Sequence, residues 1–297
     1  MRSFVKSILL ILIAFTSIVL VLEWVFHEPV NFVANKLNAL EKEEAVGVLY
    51  IGNSHTQAIG NTSLGEMKGV NLSLGGQDLF HSYALMQKAL ELQPSVKVVV
   101  IGVDYDVVGY NYAIANMSWM DRLYYRPTGM MQDNSLGNRL MASSNFFLAN
   151  RKFANVKKTS SGKQQSTDKQ ATIDAAFVDF DSPCDKRAIE HSKVKFNPQL
   201  IPENVGVLEK IISLAEQKGV RVMFVNYPKK ACYYAAYNQD VIEHAKPILE
   251  RLAATHAHVL FLDLWQAPNF NDSHFIDNDH LNEEGVKAVL EEMKEKL

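Results

Sequence analysis

The stretch Val96-Lys97-Val98-Val99-Val100-Ile101-Gly102 does most to limit what this chain can fold into. It is short, β-branched and almost wholly apolar, the pattern of a strand buried on both faces. Four further apolar stretches, at 46–51, 68–74, 220–226 and 258–264, alternate with segments of helical spacing at 79–92, 203–218, 239–255 and 283–297. In the first of these helices Leu79, Tyr83, Met86 and Leu90 share one face, and the pattern stops before Pro94. Strands alternating with helices predict a parallel sheet with right-handed crossovers. The expected class is therefore α/β, a three-layer sandwich around a five-stranded parallel sheet.

Between 104 and 202 the alternation is lost, which predicts an insertion over the cleft within a domain spanning 46–297. Tyr105, Tyr110, Tyr112, Trp119, Tyr124 and Tyr125 open that region. They would either stack on sugar rings or form the insertion's own small core, the commoner use of clustered aromatics. The polar run 157–170 has no apolar residue to bury and reads as a flexible loop.

The amino terminus is of another kind. Residues 4–26 are nearly all apolar, and as a helix they span about 34 Å against a hydrocarbon core of about 30 Å. Arg2 and Lys6 lie before or near the start, and Glu23 and Glu28 lie at the far end. The charge bias predicts a cytoplasmic start (1–28 with the membrane helix), a tether at 29–45 and an extracytoplasmic domain. A cleaved signal peptide is the alternative, but Phe32-Val33-Ala34 puts a bulky residue where a small one is wanted. A net charge of −3 gives no basic footprint for nucleic acid. Cys184 and Cys232 permit one disulfide, which their spacing neither requires nor excludes.

Two motifs carry chemistry. The first strand stops at Gly52-Asn53-Ser54, placing a serine at the carboxyl edge of the sheet, where α/β ligands bind. Ser54 would equally serve as a helix N-cap. More than two hundred residues later, Asp277-Asn278-Asp279-His280 supplies a carboxylate and an imidazole just before the last helix. A serine hydroxyl is a weak nucleophile until a base takes its proton. His280 is the candidate base, and Asp277, or less favoured Asp279, would fix its tautomer. His55 and His81 lie near the same edge, where they could bind substrate, although surface or packing roles are the ordinary expectation.

Taken together, Gly52-Asn53-Ser54, Gly75 and Gly102 at strand ends and Asp277-x-x-His280 resemble the SGNH (GDSL-type) hydrolase layout over residues 46–297, the insertion excepted. The resemblance implies a flavodoxin-like sandwich, Ser54 as nucleophile, His280 as base and Asp277 as orienter. It also implies an oxyanion hole built largely from the N–H groups of Ser54 and Gly75. The membrane-anchored members of that family act on cell-envelope polymers. They imply an acylated glycan or other ester as substrate, the membrane as a partner through the first helix and an acyl exporter in the membrane as a further partner. No cofactor and no metal is implied.

One position departs from the family, whose third block carries an Asn that donates to the oxyanion. Here Gly102-Val103-Asp104 offers an acid, which would repel developing negative charge. Losing one such donor costs about 2.7–4 kcal/mol in the barrier. Either Asp104 points elsewhere, or Asn53 or Asn111 replaces it, or the site is weakened. The leading expectation is an anchored serine esterase or O-acyltransferase; the triad does not distinguish the two. A non-catalytic glycan-binding scaffold is the second reading. A cation held by Asp277, Asp279 and His280 is a distant third.

Overall fold

A computed structural model describes residues 2–26, 31–149 and 183–297. The expectation of a flexible loop at 157–170 falls outside the described residues. Those residues form two compact units, one of 2–26, 31–35 and 119–149, the other of 36–118 and 183–297.

The larger unit holds the sheet. Its strands are β1 (Val46–Ile51), β2 (Lys68–Asn71), β3 (Val98–Gly102), β4 (Arg221–Asn226) and β5 (Val259–Asp263). All neighbours pair in parallel, in the order β2-β1-β3-β4-β5. The fold is therefore an α/β sandwich with a five-stranded parallel sheet in the flavodoxin-like order. In chain order the α-helices of the described residues are α1 (Arg2–Val25), α2 (Phe32–Glu41), α3 (Ser54–Gln57), α4 (Leu79–Leu92), α5 (Asp121–Thr128), α6 (Leu136–Ser143), α7 (Asn145–Ala149), α8 (Cys184–Ile189), α9 (Ile201–Lys218), α10 (Ala231–Ala236), α11 (Gln239–Thr255) and α12 (Glu283–Lys296).

Local chemistry sets the helix starts. Asp78 caps α4 by accepting the His81 N–H at 2.9 Å, and Asn282 caps α12 by accepting from Glu284 and Gly285. α9 ends at Gly219, whose φ of 65° is the left-handed conformation a helix C-cap requires. On one face of the sheet Val48, Val98, Val100, Met223 and Val225 pack in a single core with Val289 and Met293 of α12. Residues of the opposite parity, such as Leu49, Val99, Ile101 and Phe224, are equally buried, so both faces are covered.

Cys184 and Cys232 form a disulfide, with their Cα atoms 5.9 Å apart, that ties the start of α8 to α10. Closing a loop of 48 residues stabilises a fold by about 2–4 kcal/mol. Reduction should therefore lower the urea midpoint of the full chain. An unchanged midpoint with and without reductant would show that this bond adds nothing to stability.

In the smaller unit, the segment Phe4–Val25 of α1 is long and apolar enough to cross a membrane, and none of it is buried. α5, α6 and α7 belong to the same unit.

Candidate active site

In a sheet of this order the chain leaves β1 and β3 toward opposite sides, and the crevice between their carboxyl ends is where a ligand fits. Ser54 follows β1 and Asp104 follows β3. The two strand ends approach closely because glycine follows β1, at Gly52, and ends β3, at Gly102. A Cβ on Gly52 would lie 2.5 Å from the Thr56 hydroxyl and 3.0 Å from Gly102 N, and one on Gly102 would overlap the same hydroxyl.

Ser54 is the first residue of α3, and it does not cap it. Asn53 is the cap, its Oδ1 accepting the His55 N–H at 3.1 Å. The Ser54 hydroxyl is thereby free to face His280. Oγ lies 2.9 Å from Nε2 of that ring. On the other side of the imidazole, Nδ1 donates to Asp277 Oδ2 at 2.7 Å. Asp277 Oδ1 also accepts the backbone N–H groups of Asp279 and His280, at 2.9 and 2.7 Å. The four-residue turn from Asp277 to His280 thus fixes the carboxylate at the edge of the ring. Burial pushes the Asp277 carboxyl up, but the hydrogen bond and charge of His280 hold it below its ordinary value. Of the residues expected from sequence, Ser54, His280 and Asp277 are brought together in one chain of hydrogen bonds. Asp279 does not take Asp277's place, since its nearest approach to His280 Nδ1 is 3.5 Å.

The other expected residues are placed differently. Asp104 is buried and turned away from the cleft. It accepts from Lys229 Nζ at 2.9 Å, His55 Nδ1 at 2.7 Å and Asn53 Nδ2 at 2.8 Å. An acid in place of a donor is accommodated by surrounding it with donors. Asn53 keeps a second amide hydrogen, so its side chain can still donate toward the cleft that it lines. Asn111 is engaged locally, accepting the Ile114 N–H. Gly75 is buried in the turn after β2, and its neighbour Gly76, with φ of 68°, lines the cleft.

His55 corrects the expectation of a surface or packing role. It is 4% exposed, and both ring nitrogens meet carboxylates: Nδ1 meets Asp104, and Nε2 meets Asp279 Oδ2 at 3.0 Å. Ionised carboxylates only accept, so this pair of contacts favours the doubly protonated ring. Its centroid is 5.0 Å from that of His280. Burial would strip the proton from His55, and Asp104 and Asp279 more than compensate, raising its pKa. Arg187 Nε approaches Asp279 at 3.4 Å from α8. Burial disfavours both anions, yet His55 and Lys229 around Asp104, and His280, His55 and Arg187 around Asp279, hold both carboxyls low. Asp106 goes the other way, pushed up to about 6 by burial and the charge of Asp104. It accepts from the Tyr237 hydroxyl at 3.0 Å and lines the cleft.

His81 is buried against Asp78, with Nδ1 2.6 Å from its Oδ1. The expected aromatic cluster is not one group: Tyr105 packs on Trp265, Tyr110 donates to the Gly76 carbonyl, and Tyr112 stacks on His81. Ligand atoms of His55, Asp279 and His280 lie within 4.8 Å of one another. They already hydrogen-bond to each other, to Ser54 and to Asp104 and Asp277, so this trio reads as part of the proton-bearing network.

No family model matches the chain, and no curated protein matches it. Among solved structures it is similar to a protein of Streptococcus pneumoniae provisionally named as a platelet activating factor. That likeness has 13% identity and a TM-score of 0.46, and it covers 94% of this chain and 97% of that one. It is also similar to a provisionally named acylhydrolase of Bacteroides fragilis, at 14% identity and a TM-score of 0.42, covering 88% and 92%. A GDSL-like lipase of Bacteroides thetaiotaomicron gives 11% identity and a TM-score of 0.45, covering 88% and 93%. At these scores the functional reading rests on the site itself.

Proposed function

We propose that this protein is an SGNH-type serine esterase or O-acyltransferase. The observation that carries the reading is the continuous chain from Ser54 Oγ through His280 to Asp277. In the first half-reaction His280 Nε2 takes the hydroxyl proton as Oγ bonds to the ester carbonyl carbon. The N–H groups of Ser54 and Gly75 and the spare Asn53 amide hydrogen stabilise the oxyanion. Collapse breaks the bond to the leaving alcohol, which receives the proton from His280 and leaves an acyl-serine. Water, or a sugar hydroxyl in the transferase case, then gives its proton to His280, attacks the acyl carbon and releases Ser54.

The described residues around Ser54 leave a cleft of about 70 Å³, walled by Gly76, Tyr110 and Met117. A cavity of about 150 Å³ holds benzene, so this one fits about three heavy atoms, the size of an acetyl group. The full chain should turn over p-nitrophenyl acetate far better than the hexanoyl ester. Met117→Ala should narrow that preference by about tenfold or more, within the range one or two methylenes command in a pocket. Equal rates for both esters would refute the short-acyl reading. No turnover of either ester would count against the esterase itself.

The anchored, extracytoplasmic placement and an envelope glycan as acceptor belong to the same proposal. Support comes from the apolar helix α1, from Arg2 and Lys6 near its start, and from the disulfide, which suits an oxidising compartment. An acid at position 104, where the resembled family has a donor Asn, favours a second reading, a glycan-binding scaffold on a disused hydrolase fold. Under it, glycan binding would survive Ser54→Ala and no ester would be cleaved by the native chain.

A further inference from the structure

The end of α1 is joined to a second element by a charged residue that lipid alone would not tolerate. Glu23 lies in the last turn of α1, and a carboxylate at membrane depth needs partners. Its side chain accepts the Asn145 N–H at 2.6 Å and the Ser144 hydroxyl, and its carbonyl accepts from Asn145 Nδ2 at 3.3 Å. Beside them the ring of Phe26 meets that of Phe146 edge-on at 5.5 Å. Arg126 reinforces the junction, donating to the Ala142 carbonyl at 2.9 Å and to Asn145 Oδ1 at 2.7 Å. The turn between α6 and α7 is thus held at the level where α1 ends.

At that level three large apolar side chains face outward. Leu136 and Leu140, one turn apart on α6, are 71% and 64% exposed, and Phe147 on α7 is 49% exposed. α6 is eight residues, about 12 Å long, so both leucines lie within a short reach of the Glu23 junction. Trp24, 74% exposed at the end of α1, is the residue type that favours the headgroup region. Clustered exposed apolar side chains on a short helix mark an interaction surface.

We infer that α6 and α7 form an amphipathic foot that lies in the headgroup–acyl boundary of the bilayer crossed by α1, with Leu136, Leu140 and Phe147 directed into the lipid. The inference rests on the reading of α1 as a membrane anchor. The occupant follows from continuity: the patch is fixed by hydrogen bonds to the end of a helix whose segment Phe4–Val25 is apolar enough to cross a membrane and is unburied. An interfacial helix of this kind buries its apolar face about 5–10 Å below the phosphates.

The test uses the full chain in vesicles of phosphatidylcholine and phosphatidylglycerol. Cys184 and Cys232 are paired, so one introduced cysteine takes the label. An environment-sensitive fluorophore is placed at Leu140→Cys, at Leu136→Cys and, as a report on the anchor, at Ile11→Cys. The foot predicts loss of emission from all three with nitroxide-bearing lipid and shielding from aqueous iodide. Lipid quenching at Ile11 with iodide quenching at both leucines would overturn the foot and leave the anchor standing. Iodide quenching at all three would remove the anchor and the foot with it. Shielding of the leucines from both quenchers would mean that protein covers the patch, which also overturns the lipid assignment.

Discussion

Ser54→Ala in the full chain should abolish ester turnover, lowering kcat by about 10⁴-fold or more, because no other group can form the acyl intermediate. His280→Ala should cost about as much, and adding it to Ser54→Ala should cost almost nothing further, since nucleophile and base act as one unit. Asp277→Asn should keep the fold and still lose about 10⁴-fold. An amide can donate where the carboxylate accepted, so the imidazole would turn to the tautomer with no lone pair toward Ser54. The two backbone N–H groups that Asp277 receives both go to Oδ1, an acceptor that the Asn side chain keeps, so the turn carrying His280 stays in place. Additive losses across the double variant would break the account of a single relay.

Lys229→Met should be the most damaging change away from the reacting atoms. Lys229 is 3% exposed and its ammonium lies 2.9 Å from Asp104. Removing one partner of a buried ion pair typically costs about 3–5 kcal/mol, because the remaining charge is left in a poor solvent. His55 still faces Asp104, which places the expected loss toward the lower end of that range. The pH dependence gives an independent reading. Asp104, Asp277 and Asp279 all have folded values below the ordinary one, so at these three groups the unfolded chain binds more protons than the native one below about pH 5, while Asp106, pushed up to about 6, acts in the opposite sense. The stabilisation from the three is present above the unfolded carboxyl value and is lost as pH falls through the folded values. In Lys229→Met the Asp104 share shrinks, and the acid side of the stability curve should become shallower. Urea melts across an acid pH series measure both effects. A variant as stable as the native chain, with the same acid slope, would show that Lys229 does not support Asp104.

The sheet was legible because its signals are local. Buried strands announce themselves by β-branched runs, and α4 and α11 span the same residues that their spacing predicts, 79–92 and 239–255. The assigned second strand, Lys68–Asn71, is shorter than the apolar stretch 68–74, yet Leu72 and Leu74 still donate to the Tyr50 and Gly52 carbonyls, at 2.8 and 3.1 Å, so the apolar pattern follows backbone pairing past the regular ladder. Ser54, Asp277 and His280 were readable from strand-end position and a fixed spacing. The network behind them was not. His55 pairs with residues 49 and 224 positions away, and Lys229 reaches Asp104 across 125 positions. Only the sheet order brings these together. One clue was available: an acid at the end of a buried central strand must find a cation, and Lys229 follows the neighbouring strand. α10 went unread because Ala231–Ala236 is a single short stretch with no periodicity, and the disulfide that pins it has no signature in cysteine spacing.

The most direct test of the central claim is covalent. The full chain, its Ser54→Ala variant and its His280→Ala variant are treated with a fluorophosphonate, and the adduct is located by mass. The account predicts one adduct, on Ser54, in the native chain, none in Ser54→Ala, and labelling slowed by about 10²–10⁴-fold in His280→Ala, the usual contribution of a positioned base. Folded native chain that takes no label, or takes it equally without His280, would contradict an activated serine at this site.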